Sequence, residues 1–96
     1  MVTPEQIEQE WKSRGYSCEL RVDPPGRMWE NVVQDEDELF VLLDGEVELQ
    51  TAGILQCPEP GKEIPLPAHT IHTVRVTGAQ PARWMYGFRE PGTEAG

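Results

Sequence analysis

The first of two stretches that decide the fold reads Glu38-Leu-Phe-Val-Leu-Leu-Asp-Gly45-Glu46, and the second reads Pro65-Leu-Pro67-Ala-His69-Thr-Ile-His72. Each places one ionisable side chain, Glu38 or His72, at the edge of an apolar run beside a turn. Short apolar runs bounded by turn residues are typical of β-strands. A carboxylate and an imidazole on two separate strands meet only if the sheet rolls up, so these stretches predict a closed, all-β fold.

The remainder of the chain predicts one short helix followed by strands. Thr3 is placed to cap the helix, Pro4 suits its first turn, Gln6 completes a capping box, and Gly15 ends it. From residue 16 onward, about eight short strands alternate with turn clusters, in keeping with nine Gly and nine Pro in 96 residues. We therefore predict one domain over residues 1–96, with a helix in 1–15, an antiparallel jelly-roll barrel in 16–89 and a flexible tail in 90–96.

Two strands have patterns that predict their environment. Leu39 to Leu43 is apolar without interruption, which predicts a strand covered on both faces. Asp44-Gly45 follows it and favours a tight hairpin. The first strand alternates apolar with polar residues, which predicts a half-buried strand. Its apolar members are Tyr16, Cys18, Leu20 and Val22.

Composition restricts the partners and the location. The net charge is −9, from 17 acidic and 8 basic side chains, which argues against nucleic acid or an anionic membrane as partner. No apolar run approaches the roughly 20 residues of a membrane span, and the first residues do not resemble a signal peptide, so we expect a cytoplasmic protein. Cys18 and Cys57 lack CxxC spacing and predict reduced, mostly buried thiols rather than a disulfide.

The two opening stretches resemble the motifs of the cupin family. That family's first motif is Gly-x5-His-x-His-x3,4-Glu-x6-Gly, and here Glu38 stands seven residues before Gly45. The second motif is Gly-x5-Pro-x-Gly-x2-His-x3-Asn, and Gly61, Pro67 and His72 hold its spacing. Further segments, at residues 24–29, 37–39 and 83–88, are similar to a subgroup of small single-domain cupins of uncertain role. The resemblance extends from about residue 16 to residue 88 and implies a single small cupin barrel.

The same resemblance implies a metal site with departures from the family pattern. In the family, the positions of Glu38 and His72 bind a divalent metal together with two histidines of the first motif. Those two histidines fall here on Val32 and Gln34, the inner glycine of the second motif falls on His69, and the closing Asn on Val76. The ligand candidates are therefore Glu38, His72 and Gln34, with Glu30 as a substitute. One divalent metal (Zn, Ni, Fe or Mn) and no metal at all remain alternatives.

If Glu38 and His72 face the barrel interior, the two-residue period of strands predicts which neighbours face it with them. The result is a mostly apolar cavity with a few polar groups, as is usual for small-ligand sites. The predicted ligand pocket consists of Met28, Glu30, Val32, Phe40, Val74 and Tyr86. A structural alternative for Glu38 and His72 is a hydrogen bond between them across the cavity.

Two classes of function follow. The first is a cupin-fold protein that binds a small molecule, with a partial metal site and no catalysis. The second is a metal-dependent enzyme of dioxygenase or isomerase type that uses Glu38 and His72. Loss of two first-motif histidines favours the first class. Exposed edge strands in a barrel of this size also predict a homodimer.

Overall fold

The computed structural model describes residues 3–90. Residues 91–96, where the flexible tail was predicted, lie outside the described residues. Within the described part, the chain forms one helix and eight strands. In chain order they are α1 (Pro4–Ser13), β1 (Glu19–Asp23), β2 (Met28–Val32), β3 (Glu38–Asp44), β4 (Val47–Thr51), β5 (Ile54–Gln56), β6 (Glu63–Leu66), β7 (His72–Val76) and β8 (Ala82–Phe88).

The strands form two antiparallel four-stranded sheets. The first sheet has the order β1-β8-β3-β6 and the second β2-β7-β4-β5. In the first sheet Glu38 pairs with Phe88 on one side and with Leu66 on the other. In the second sheet His72 pairs with Val32 and with Thr51. The all-β, jelly-roll prediction is confirmed, and both motif residues stand at the first position of their strands.

The main core lies between the two sheets. It takes alternate residues from five strands, because alternate side chains of a strand point to the same face. The buried members are Phe40, Leu42, Val47, Leu49, Ile64, Leu66, Val74, Val76, Ala82 and Trp84. A smaller cluster on the outer face of the first sheet contains Ile7, Trp11, Leu39, Val41 and Met85. Strand β3 supplies side chains to both clusters, so the prediction that its two faces are covered is confirmed.

Helix α1 closes the outer face of the first sheet. Its predicted start is confirmed, because the Thr3 side chain accepts from the Gln6 backbone N–H and the Gln6 side chain accepts from the Thr3 N–H. Ile7 and Trp11 are four residues apart and are both buried against the sheet. Trp11 Nε1 also donates to Glu63 Oε1 at 3.0 Å, which ties the helix to β6.

The alternation predicted for the first strand is present, and its apolar side faces outward, toward α1. Tyr16 and Cys18 pack against the helix-covered cluster, whereas Leu20 and Val22 are 50% and 55% exposed. The reason is length: a ten-residue helix spans only about 15 Å and does not reach these two side chains. The predicted homodimer, which would cover them, stays a prediction.

The cysteines differ in exposure. Both are free thiols, Cys18 half-buried and Cys57 exposed. Cys57 follows β5, an edge strand, so the prediction of mostly buried thiols was wrong for this residue. Burial raises the pKa of the Cys18 thiol to about 11, which keeps it protonated at neutral pH. In residues 3–90 there is no helix with the length and apolar character that crossing a membrane requires.

Candidate functional site

Glu38 and His72 converge from the two facing sheets. His72 Nε2 lies 3.4 Å from Glu38 Oε1. Glu38 is 8% exposed and His72 is 6% exposed. Charged side chains in folded proteins normally stay in contact with water. Among residues 3–90, Glu38 Oε1 and His72 Nδ1 find no hydrogen-bond partner. The hydrogen bond that was predicted as a structural alternative is therefore not formed in this geometry, although the two groups are in contact.

Burial controls the protonation of this pair. It raises the pKa of Glu38 to about 7 from an ordinary value of 4.5. Burial also lowers the pKa of His72 from its ordinary value of 6.5. The Thr70 backbone opposes this lowering in part, although its geometry falls short of a hydrogen bond to Nδ1. Both shifts disfavour the charged forms, as expected for ionisable groups removed from water. Near neutral pH the Glu38 carboxyl is therefore partly protonated, and His72 contributes a neutral imidazole.

A cavity of about 250 Å³ opens beside the pair, between the two sheets. Its wall is mostly apolar and aromatic, with few polar groups, which is the usual make-up of small-molecule sites. The lining residues are Arg21, Trp29, Val32, Gln34, Glu38, Phe40, Leu66, His72, Val74, Trp84, Tyr86 and Phe88. At this volume the cavity admits a molecule on the order of ten non-hydrogen atoms.

Most of the predicted pocket residues lie on this wall, and two do not. Met28 and Glu30 are exposed on the outside of β2. The expected alternation fails because Asn31 adopts a left-handed backbone, with φ of 52°, and the pairing of β2 with β7 shifts register between Trp29 and Val32. A bulge of this kind turns the following residue to the opposite face of the strand.

The shift at Asn31 decides which side chains of this segment reach the cavity. Trp29 and Val32 line it together, although they are three residues apart. Gln34 follows on the same wall as Glu38 and His72. Its backbone oxygen accepts from the His69 N–H at 2.8 Å, which fixes the segment beside the second motif.

His69 lies outside the cavity. Its side chain is 74% exposed, and its backbone has φ of 60°. That left-handed conformation explains why a glycine is typical at this position of the motif, since glycine adopts it without strain. His69 is therefore not a ligand candidate in this geometry, in line with the expectation that it occupies a turn.

Arg21 is a cavity residue that the sequence interpretation missed. Its Nε donates to Asp23 Oδ2 at 2.9 Å, and its guanidinium lies 3.9 Å from the centre of the Trp29 ring. Trp29 Nε1 donates to the same Asp23 oxygen at 2.7 Å. Arg21 and Asp23 are two residues apart and so share one face of β1, which is the sequence signal for their association.

The donor set does not fit a tightly bound zinc or iron ion. Such ions take three or four His, Cys or carboxylate ligands in most protein sites. Over the described residues, no group of three or more His, Cys, Asp or Glu side chains is close enough to hold a metal. Glu38 and His72 provide two good donors, Gln34 lines the same cavity with a weaker amide oxygen, and Glu30 faces away. The site is a partial one.

Comparisons with known proteins give structural matches alone. No protein-family model matches the chain, and neither does any curated protein. Among solved structures, the chain is similar to the TT1209 protein of Thermus thermophilus, with 25% identity and a TM-score of 0.70 over 81% of this chain and 76% of that one.

Two further structures represent different kinds of protein. The Cupin_2 domain of an XRE family transcriptional regulator from Enterobacter cloacae matches at 18% identity and a TM-score of 0.72, over 84% of this chain and 88% of that domain. The DMSP lyase DddQ from Ruegeria pomeroyi matches at 20% identity and a TM-score of 0.71, over 85% of this chain. The match covers 42% of the lyase, so this chain corresponds to less than half of that enzyme. The two antiparallel sheets and these likenesses together show that the chain has the jelly-roll fold of a small cupin domain.

Proposed function

We propose that this cupin domain binds a small organic molecule in the cavity between its sheets, without metal-dependent catalysis. The observation that carries the proposal is the combination of an apolar cavity with two buried, unpartnered polar atoms, Glu38 Oε1 and His72 Nδ1. Buried polar atoms without partners cost free energy, and a ligand hydroxyl or carbonyl placed against them removes that cost. The pocket depends on the shape of the barrel, so it persists where a metal-ligand set is incomplete.

The similar structures support a binding role and leave an enzymatic alternative. The Cupin_2 domain belongs to a transcriptional regulator and not to an enzyme by its name, which is compatible with a binding role. The lyase supports the alternative, a metal-dependent enzyme using Glu38 and His72. The incomplete donor set favours the binding role, because catalytic metal sites use three protein ligands and one open position.

The binding proposal is tested with uncharged probes and a variant that fills the cavity. We expect benzamide and hexanamide to perturb the NMR signals of Val32 and Tyr86, which line the cavity, when titrated into the intact chain. Val74→Phe places a ring in the cavity and is expected to weaken this binding at least tenfold, about 1.4 kcal/mol. The added ring costs about 1–3 kcal/mol of stability through overpacking.

Val33→Phe is the matched control, because it adds the same ring at a half-exposed position outside the cavity. We expect it to bind the probes as the parent does. Perturbations confined to surface residues, or equal binding by the parent and Val74→Phe, would contradict the proposal.

The metal alternative is tested at Gln34. Gln34→His would place a second imidazole on the wall that carries Glu38 and His72, and the three ligands with one open position would match a catalytic zinc site. We expect the variant to bind zinc or nickel at least tenfold more tightly than the parent, about 1.4 kcal/mol, measured by calorimetry. The side chains are similar in length, so the cost in stability is on the order of 1 kcal/mol.

Gln50→His adds an imidazole on the exposed side of β4 and controls for nonspecific metal binding. It is expected to leave the affinity at the parent value. An unchanged affinity in folded Gln34→His would show that this side chain does not reach Glu38 and His72. A parent protein that already binds one equivalent of metal, and loses it in both Glu38→Ala and His72→Ala, would favour the enzyme over the binding domain.

A further inference from the structure

The cavity carries one permanent cation. Among its lining residues, all within 3–90, Arg21 is the only arginine or lysine. Its guanidinium lies against Trp29 and close enough to the Tyr86 hydroxyl to oppose the rise in the pKa of Tyr86 that burial and Glu19 produce. Arg21 and Tyr86 therefore face one region of the cavity, on the β1 side.

The protein fixes one edge of the Arg21 guanidinium, the edge that carries Nε. Its Nε donates to Asp23 Oδ2, and Asp23 is 4% exposed and fixed further by the Trp29 indole N–H. Arg27 stacks over the Trp29 ring as well, 4.5 Å from the ring centre, but does not line the cavity. The two Nη groups of Arg21 have no carboxylate partner in the described part of the chain. They form the planar pair of donors that matches a carboxylate.

Nearby acidic groups do not occupy this pair of donors. Asp23 pairs with the Nε edge, and Glu19 accepts from the Tyr86 hydroxyl at 3.2 Å from the solvent side. Neither residue lines the cavity. The net charge of −9 opposes an anion at long range, but salt screens exposed charges beyond about 8 Å at physiological ionic strength. A direct contact inside the cavity is screened far less.

We infer that the cavity binds a small monocarboxylic acid, with the carboxylate on the Nη edge of Arg21 and an apolar body against Phe40, Val74 and Trp84. This inference rests on the proposed function and adds the chemical class of the ligand. Glu38 and His72 lie toward the other end of the cavity. On β8, Arg21 pairs with Trp84 and Glu38 pairs with Phe88. Trp84 and Phe88 are four residues apart, which is about 13 Å along the strand. A hydroxyl or carbonyl at the far end of the acid would reach toward the unpartnered atoms there.

The test compares acids with amides of the same shape on the intact chain. The probes are benzoate against benzamide and hexanoate against hexanamide, all small enough for the cavity. We expect each acid to bind at least about tenfold more tightly than its amide, measured by NMR titration at one ionic strength. The signals of Arg21 and Tyr86 should move with the acids and much less with the amides.

Variants assign the preference to Arg21. Arg21→Gln is expected to remove the preference for the acid, so that benzoate and benzamide bind this variant with similar affinity. Arg27→Gln, which removes the cation from the other face of Trp29, is expected to keep the preference. Since Arg21→Gln leaves Asp23 buried without its partner, Arg21→Lys provides a second variant. It keeps the charge but lacks the planar fork, and we expect it to weaken benzoate binding several-fold.

The outcomes separate this inference from the proposed function. Equal affinity for acids and amides, or full benzoate affinity in folded Arg21→Lys, overturns the carboxylate assignment and leaves small-molecule binding in place. Binding of neither acids nor amides in the cavity overturns both.

Discussion

Replacing Gly45 by alanine is expected to destabilise the domain by about 3–4 kcal/mol. Gly45 has φ of 90°, a conformation that side chains with a Cβ rarely adopt. A Cβ at this position would also lie 2.6 Å from Ala82 Cα and 2.9 Å from the Pro81 backbone oxygen. Backbone atoms at the start of β8 do not move aside as a flexible side chain does. The measurement is the free energy of unfolding in urea.

Gly53 provides the matched control. Its φ is 84°, nearly that of Gly45, but an added Cβ would meet nothing within 4 Å. Gly53→Ala therefore carries the conformational cost alone, about 1–2 kcal/mol. The difference between the two variants isolates the close approach of the β3–β4 turn to β8. Equal losses of stability in Gly45→Ala and Gly53→Ala would show that this approach has no energetic weight.

Much of the fold was predictable because turn residues and apolar runs are local signals. The prediction of about eight short strands after residue 16 is confirmed, since each apolar run lies between turn clusters. Gly45 was placed by the motif spacing, and the structure supplies the reason for it: the turn needs both a positive φ and an absent side chain. The convergence of Glu38 and His72 also followed from spacing, since a closed barrel is the arrangement that brings those two strand ends together.

The parts that failed, or that the sequence did not predict, depend on contacts between distant segments. The outward direction of the apolar face of β1 was not predicted, because it follows from the docking of α1 and alternation alone does not say which side of a strand is covered. The exclusion of Met28 and Glu30 from the cavity follows from one residue, Asn31, whose left-handed backbone resets the alternation of β2. Asparagine tolerates that conformation better than most residues, which is a weak signal in a single sequence.

Replacing Glu38 by glutamine is expected to stabilise the domain at pH 8 by about 3 kcal/mol and to change it little at pH 4. Burial raises the pKa of Glu38 to about 7 from 4.5. The folded state therefore keeps this proton over a range in which the unfolded chain has already released it. The parent loses stability as the pH rises from about 4.5 to 7, and the loss is complete above 7. Glutamine does not ionise, so the variant does not lose stability over this pH range for this reason.

The contribution of His72 to stability has the opposite dependence on pH, and His72 is present in both the parent and Glu38→Gln. Its pKa is lowered by burial, so its contribution to stability is complete above pH 6.5 and is lost as the pH falls toward the lower value. Subtracting the two unfolding free energies at each pH, from 4 to 8 with a chelator present, leaves the contribution of Glu38.

Glu63→Gln is the control of opposite sign. The pKa of Glu63 is lowered, first by the hydrogen bond from Arg14, so its ionised form stabilises the folded state above pH 4.5. We expect Glu63→Gln to lose stability relative to the parent as the pH rises, while Glu38→Gln gains it. If Glu38→Gln and the parent keep a constant difference from pH 4 to pH 8, the Glu38 carboxyl ionises as freely as it does in water. The cavity would then be wetter than its apolar wall implies, and the two unpartnered atoms would already be bound to solvent.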